Sequence, residues 1–295
     1  HYLTEEFAKR IVENNPFVDK VITFNKNDFV LKVLKKVREE KYDMILDFWS
    51  NPKTAQITFL SRAKYRAGYN KRGRKYAYNI ISNPGDEHTH AADTHLLLLN
   101  ELQIPVVSKN ILFYLNDEEK SFARNFIYKN FNTELILGII PSGGWRSKRC
   151  ESKKWIEICK EIQKSINARF LILWGPGDED DANQIKDALN KDAVLIPGTD
   201  IGKLAGLISQ CKLVIANDSG PMHIAAALGV PVIGIFGPTN PANHKPYSEK
   251  SDYVIKEDLH CIKCNLLDCP FNHECMKELN PYYFISKIKL LLDLP

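Results

Sequence analysis

The second half of this chain repeats one pattern, and that pattern limits the folds open to it. Short apolar runs at 135–140, 169–174, 194–196, 213–216 and 232–236 alternate with helical apolar periods at 152–166, 179–189, 201–209 and 221–228. Parallel strands need crossover connections, and helices are the usual ones. The alternation therefore predicts an α/β domain with a parallel sheet covered by helices. The first half reads the same way, less regularly. Helices are expected at 3–14, 28–40, 52–61, 86–102 and 117–130, strands at 20–24, 43–48 and 111–115, and extended chain at 65–69. With 295 residues, two domains of ordinary size are expected. We place them at 1–132 and 133–280, with a final helix in 281–295. No apolar run approaches the ~20 residues needed to span a bilayer.

Ligands of open parallel sheets bind at the carboxyl ends of the strands. In the second half each strand ends in small and polar residues. These are Pro141-Ser142-Gly143-Gly144-Trp145, Gly175-Pro176-Gly177-Asp178-Glu179, Asn217-Asp218-Ser219-Gly220-Pro221-Met222-His223 and Gly237-Pro238-Thr239-Asn240. Glycine lets a ligand approach the backbone, and the helix start after each loop offers N–H groups to an anion. The third loop is the sharpest. Ser219 and Gly220 open a helix, Pro221 suits its first turn, and His223 follows Ser219 by one turn. Asp218 is placed to cap that helix. In the first loop Ser142, Gly143, Lys148 and Arg149 add donors and positive charge. Asp178 and Asp180 form an Asp-x-Asp, but they begin a helix, where acids complement the dipole, so no metal is assigned to them.

Together these loops resemble glycosyltransferase family 9, the ADP-heptose:lipopolysaccharide heptosyltransferases. The resemblance rests on residues 141–148, 174–179 and 217–223, on the run from Ala225 to Thr239, and on the cysteine-rich tail. It implies a GT-B fold: two Rossmann-like domains facing across a cleft, with the last helix packing back on the first domain. It implies an ADP-heptose donor in the C-terminal domain and the lipopolysaccharide inner core as acceptor, at the inner membrane surface. Residue by residue, Ser142 and Gly143 would face the donor phosphates or heptose, Lys148 the diphosphate, Glu179 the ribose and Thr199 the adenine side. Asp218, Ser219, Gly220 and His223 would hold the diphosphate and sugar. The implied reaction inverts the anomeric carbon, with Lys148 and the helix start stabilising departing ADP instead of a metal, and with no cofactor. Related sequences carry Trp where this chain has Cys150.

The family also opens with a strand and a Gly-Asp loop whose Asp is taken as general base. No such loop occurs near His1, and we expect that strand and base ahead of it. Two alternatives therefore stand: a relative that binds a nucleotide sugar without transfer, and a transferase using another nucleotide sugar. A nicotinamide-dependent oxidoreductase is disfavoured, since no Gly-x-Gly-x-x-Gly follows a strand. A serine hydrolase is disfavoured because Ser219 lacks the Gly two residues before it.

Net charge is +4, and its excess gathers at Arg62, Lys64, Arg66, Lys71, Arg72, Arg74 and Lys75 with no acid among them. Such a stretch suits an anionic acceptor or is a solvated loop; no nucleic-acid partner is expected. Cys261, Cys264, Cys269 and Cys275 form a cluster that either holds a tetrahedral metal or remains four thiols. His90 is a candidate on the acceptor side, and His88 and His95 read as structural or exposed. No basic leader with an apolar core follows His1, and the expected location is the cytoplasm, with peripheral contact to the inner membrane.

Overall fold

A computed structural model describes residues 1–132 and 135–295. The expected domain junction at 132/133 involves residues outside those described. The described chain forms two compact units, His1–Lys109 and Asn110–Pro295. Unit 1 contains β1 (Tyr2–Glu5), α1 (Lys9–Val12), β2 (Val21–Phe24), α2 (Val30–Glu39), β3 (Met44–Leu46), α3 (Pro52–Leu60), β4 (Tyr65–Tyr69), β5 (Ile80–Ser82) and α4 (Ala91–Glu101). Unit 2 opens with α5 (Asp117–Asn130), β6 (Ile136–Ile140), α6 (Ser152–Ser165), β7 (Arg169–Ile172), α7 (Glu179–Leu189), β8 (Ala193–Leu195) and α8 (Ile201–Ile208). It continues with β9 (Leu213–Asn217), α9 (Gly220–Ala227), β10 (Val232–Phe236), α10 (Pro241–His244), β11 (Ser251–Ile255), α11 (Glu274–Lys277) and α12 (Pro281–Leu291).

Unit 2 is a six-stranded, all-parallel sheet in the order β8-β7-β6-β9-β10-β11. Its central strands are buried along their whole length, so both faces must be covered. The two-residue period of a strand sorts the side chains to the two faces. Leu137, Ile139, Leu213, Ile215, Ile233 and Ile235 pack toward Trp155, Ile162, Ile185 and Phe284, on one face. Ile136, Ile140, Val214, Ala216, Val232 and Phe236 pack toward Ala123, Leu204, Leu207 and Met222, on the other. Helix α5 therefore belongs to unit 2, seated against α8. An Asn116–Glu119 capping box starts it. Gly206 is small because the backbone of Glu119 passes over it: a Cβ there would lie 2.7 Å from the Glu119 carbonyl oxygen. Helix α12 packs on α6 and β11, inside the same unit.

Unit 1 is also all-parallel, but its strands form two ladders, β1-β2 and β3-β4-β5. Several local expectations are corrected here. Tyr2–Glu5 is a strand, not part of a helix, because it pairs with β2. Ile80–Ser82 is a further strand with no expected counterpart in the local pattern; it draws its extended state from pairing with β4. Residues 111–115 are irregular, not a strand, and Phe113 instead buries its ring in the core of unit 2. The basic stretch is ordered structure in part: Arg66 lies in β4 and donates to the carbonyls of Ala63 and Ala77.

Among the described residues no helix is long and apolar enough to cross a membrane.

Candidate active site

Because the strands of unit 2 are parallel, all their carboxyl ends lie along one edge of the sheet. The chain runs from β6 to β7 and β8 on one side, then crosses to β9 on the other, so β6 and β9 flank the switch point. Loops diverge there and leave a crevice, the usual ligand position in such sheets. Ser142, Gly143 and Lys148 follow β6 and Asp218, Ser219, Gly220 and His223 follow β9, on the two sides of it, while Glu179 and Thr199 follow β7 and β8.

Side chains stitch the loops together. Buried Asn217, the last residue of β9, donates from Nδ2 to the Pro141 carbonyl at 2.6 Å. Lys148 Nζ lies 2.7 Å from Asp218 Oδ2, and Thr239 Oγ1 donates to that same oxygen at 2.7 Å. The Lys148 ammonium also sits over the Trp145 ring, 4.3 Å from its centroid. On the other flank Arg149 donates from Nε to the Gly143 carbonyl at 2.7 Å and pairs with Asp178 at 2.7 Å. Trp174 Nε1 donates to the Ile196 carbonyl, joining the loops after β7 and β8.

Ser219 is the N-cap of α9, with extended backbone and no capping bond from its side chain. Its hydroxyl, with those of Ser142 and Thr199, is buried and has no hydrogen-bond partner among the described residues. A buried polar atom without a partner costs ~1–3 kcal/mol. These three hydroxyls lie on three loops that follow strands at the sheet's carboxyl edge. Gly220 is exposed at the first turn of α9, and His223 follows, half-buried, one turn on. Gly143 allows close backbone approach: a Cβ would touch the Arg149 stem at 3.0 Å.

One expectation needs correction. Asp218 does not cap α9, because its carboxylate is taken by Lys148 and Thr239. Asp178 is buried against Arg149 at the start of α7, and Asp180 is exposed on α7 beside exposed Glu179. Three contributors were not singled out from sequence. Thr239, Asn217 and Trp145 are ordinary residues until strand order places them beside Asp218, Pro141 and Lys148.

The cysteine-rich segment buttresses this edge. Ser147 donates to the carbonyls of Leu266 and Leu267, and the Lys263 and Asn265 amides donate to the carbonyls of Gly237 and Pro238. Cys261, Cys264, Cys269 and Cys275 line a cavity of about 20 Å³ with Ser147, Pro238 and His273. Burial, then the neighbouring thiols, pushes Cys275 up to about 12. No group of three or more His, Cys, Asp or Glu among the described residues is arranged to hold a metal ion. Cys150 is buried, its thiol pushed well up by burial, and its amide faces Asn217 Oδ1 at 3.4 Å.

A doubly wound parallel sheet with donors gathered at its switch point defines a nucleotide- or sugar-phosphate-binding class of α/β protein. Comparison with known proteins narrows it. The family described as glycosyltransferase family 9 (heptosyltransferase) matches residues 30–274, and the chain belongs to that family. It is a glycosyltransferase. It is 26% identical over 287 residues to lipooligosaccharide heptosyltransferase 2 of Campylobacter jejuni serotype O:6, covering 92% of this chain and 83% of that protein. It is similar in fold to a family 9 glycosyltransferase from Veillonella parvula, with TM-score 0.83, 20% identity, and 99% and 87% of the two chains covered. The E. coli ADP-heptose lps heptosyltransferase II is likewise similar, with TM-score 0.75, 20% identity, and 98% and 88% covered.

Proposed function

We propose that this glycosyltransferase moves heptose from ADP-heptose to the inner core of lipopolysaccharide, at the inner face of the membrane. The observation that carries the donor assignment is the set of unpartnered hydroxyls on Ser142, Thr199 and Ser219, on loops at the same edge of the sheet as the Lys148–Asp218 pair and the start of α9. The relatives named above supply the sugar and the acceptor.

In this reading the donor diphosphate lies across the switch point. Ser142 and Ser219 donate hydroxyls to its oxygens, and the backbone at Gly220 presents N–H groups at the positive end of the helix. Lys148 has three N–H donors. One goes to Asp218, and the others meet charge as it develops on departing ADP. Asp218 is then a positioning residue that aims Lys148, and Thr239 aims Asp218 in turn. Gly143 admits the phosphates to the backbone, His223 reaches the phosphate or sugar from the next turn of α9, Glu179 takes ribose hydroxyls, and Thr199 borders the adenine. The displacement inverts the anomeric carbon, the acceptor hydroxyl attacking opposite the departing phosphate. Charge on the leaving group is met by Lys148 and the helix start, without a divalent ion.

Isothermal calorimetry of ADP and ADP-heptose in excess chelator tests this. Binding that survives chelation, with UDP competing at least tenfold less well, is the expected result. Binding abolished by chelator, or equal competition by UDP, would overturn the donor assignment.

A further inference from the structure

We infer that one flank of unit 1, where the end of α3 meets the short 3-10 helix Arg74–Ala77, docks on the surface of an anionic phospholipid bilayer. Phe59 and Tyr76 are 50% and 52% exposed there, and Leu60 and Tyr65 are exposed as well. Singly such residues mean little. Here they are gathered among cations, and exposed apolar groups rimmed by charge mark interaction surfaces.

The fold assembles this patch from separate segments. The Phe59 and Tyr76 rings meet edge to face, with centroids 5.5 Å apart at 75°. Asn79 staples the start of β4 alongside: its Nδ2 donates to the Lys64 carbonyl at 2.7 Å, and its Oδ1 accepts the Arg66 amide at 2.8 Å. Arg66 donates in turn to the carbonyls of Ala63 and Ala77. Lys64 and Tyr65 are thereby held next to the residues that follow Tyr76. From α2, Arg38 donates twice to the Leu60 carbonyl, at 2.9 and 2.6 Å, and fixes the end of α3. A patch held this firmly has little ordering entropy left to lose on docking.

Charge selects the occupant. From Phe48 to Gly85 the chain carries no Asp or Glu. Arg62 and Lys64 follow Leu60, Lys75 precedes Tyr76, and all three are exposed. One exposed acid, Asp43, stands beside Tyr65, whose amide donates to the Asp43 carbonyl, and the three cations outweigh it. The negative surface of an anionic bilayer attracts such cations, and amphipathic aromatic rings settle at the level of the headgroups. A nucleic acid is anionic too, but it needs ring faces on which bases stack. Here the Phe59–Tyr76 pair, and the Lys64 ammonium 5.0 Å from the Tyr65 centroid, already occupy ring faces. The choice of a bilayer rests on the proposed function, in which the acceptor lies at a membrane; the patch gives that contact a surface.

Flotation of the whole chain with phospholipid vesicles free of lipopolysaccharide tests this. Binding to phosphatidylglycerol vesicles, and none to phosphatidylcholine vesicles, is the expected result. Lys64→Ala with Lys75→Ala should weaken it about tenfold or more, since each basic residue near the surface contributes. Phe59→Ser with Tyr76→Ser should weaken it to a similar degree, through lost apolar burial, while the circular dichroism matches the parent. If the aromatic pair fails to fold, the lysine pair decides alone. No binding to the anionic vesicles, binding equal to the parent in either folded variant, or binding only once lipopolysaccharide is added would overturn the proposal. So would tighter binding to single-stranded RNA than to the vesicles, which would make the flank a nucleic-acid surface. No donor sugar enters these measurements, so their failure leaves the donor assignment standing, and failure of the ADP calorimetry leaves the patch standing.

Discussion

Lys148 and Asp218 face each other across the switch point of unit 2, Nζ to Oδ2 at 2.7 Å, with side chains only 15% and 7% exposed. One belongs to the loop after β6 and the other to the loop after β9. Such a pair is weak evidence for stability, since desolvation offsets much of the attraction. Its expected consequence is in chemistry. Lys148→Ala should lower transfer by ~100-fold or more, as loss of a donor to developing charge does. It should also cost ~3 kcal/mol of stability by stranding the Asp218 carboxylate. Adding Asp218→Asn should recover stability and leave transfer low. Activity per folded molecule equal to the parent in Lys148→Ala would remove Lys148 from the site. Melting curves paired with a transfer assay measure both.

Thr239→Val keeps the shape and removes the hydroxyl that donates to Asp218. The loss should be about 1 kcal/mol of stability. Because Lys148 remains, ADP affinity should fall less than in Lys148→Ala. Calorimetry of the two variants side by side checks the ranking, and a larger loss in Thr239→Val would mean the threonine touches the ligand itself.

Gly206→Ala should destabilise unit 2. The new Cβ would sit 2.7 Å from the Glu119 carbonyl oxygen and 3.3 Å from the Ala123 Cβ, and backbone cannot swing aside as a flexible side chain can. Parting α5 from α8 costs ~1–3 kcal/mol. A lowered urea midpoint is the expected reading; an unchanged one would mean that the two helices do not meet there.

Unit 1 should lose stability in mild acid. Although His95 keeps solvent-exposed surface, desolvation of its imidazole where it packs against Phe48 and Tyr69, then the charge of Lys71, holds it below its ordinary value of 6.5. Its ring meets the Tyr69 hydroxyl at 3.3 Å and the Phe48 edge at 5.4 Å. Between the lowered folded value and 6.5 the unfolded chain binds more protons, so the stabilisation is complete above 6.5 and declines as pH falls below it. Melting temperatures across pH 7.5 to 5.5, as order-of-magnitude bounds for a histidine, should flatten in His95→Gln. The same slope in that variant would assign the effect elsewhere.

The thiols should alkylate in a fixed order. Cys264 is exposed, Cys275 is half-buried and pushed up to about 12, and Cys150, Cys159 and Cys211 are buried with their thiols pushed up by burial. The thiolate is the reactive form. Mass spectrometry after timed iodoacetamide treatment should show Cys264 modified first, Cys275 later, and the last three only in denaturant. Early labelling of Cys159 would contradict the packing of α6.

The amino-acid sequence by itself determined the class of fold and the candidate loops at the strand ends. Apolar runs alternating with helical periods admit little besides a covered parallel sheet, and glycine, proline and serine at strand ends are local signals of turn and helix start. That is why Ser142, Lys148, Asp218 and Ser219 stand out as candidates in the sequence. Tertiary structure decided what those residues touch. Asp218 reads locally as a helix cap, but strand order brings Lys148 and Thr239 to it, and a charged partner outbids an amide for the carboxylate. Tyr2–Glu5 reads locally as helix, yet pairing with β2 makes it strand, because extended structure draws its hydrogen bonds from another segment. Partners brought from distant loops leave no mark in a local window, so the ion pair and the supporting hydroxyl belong to the fold alone.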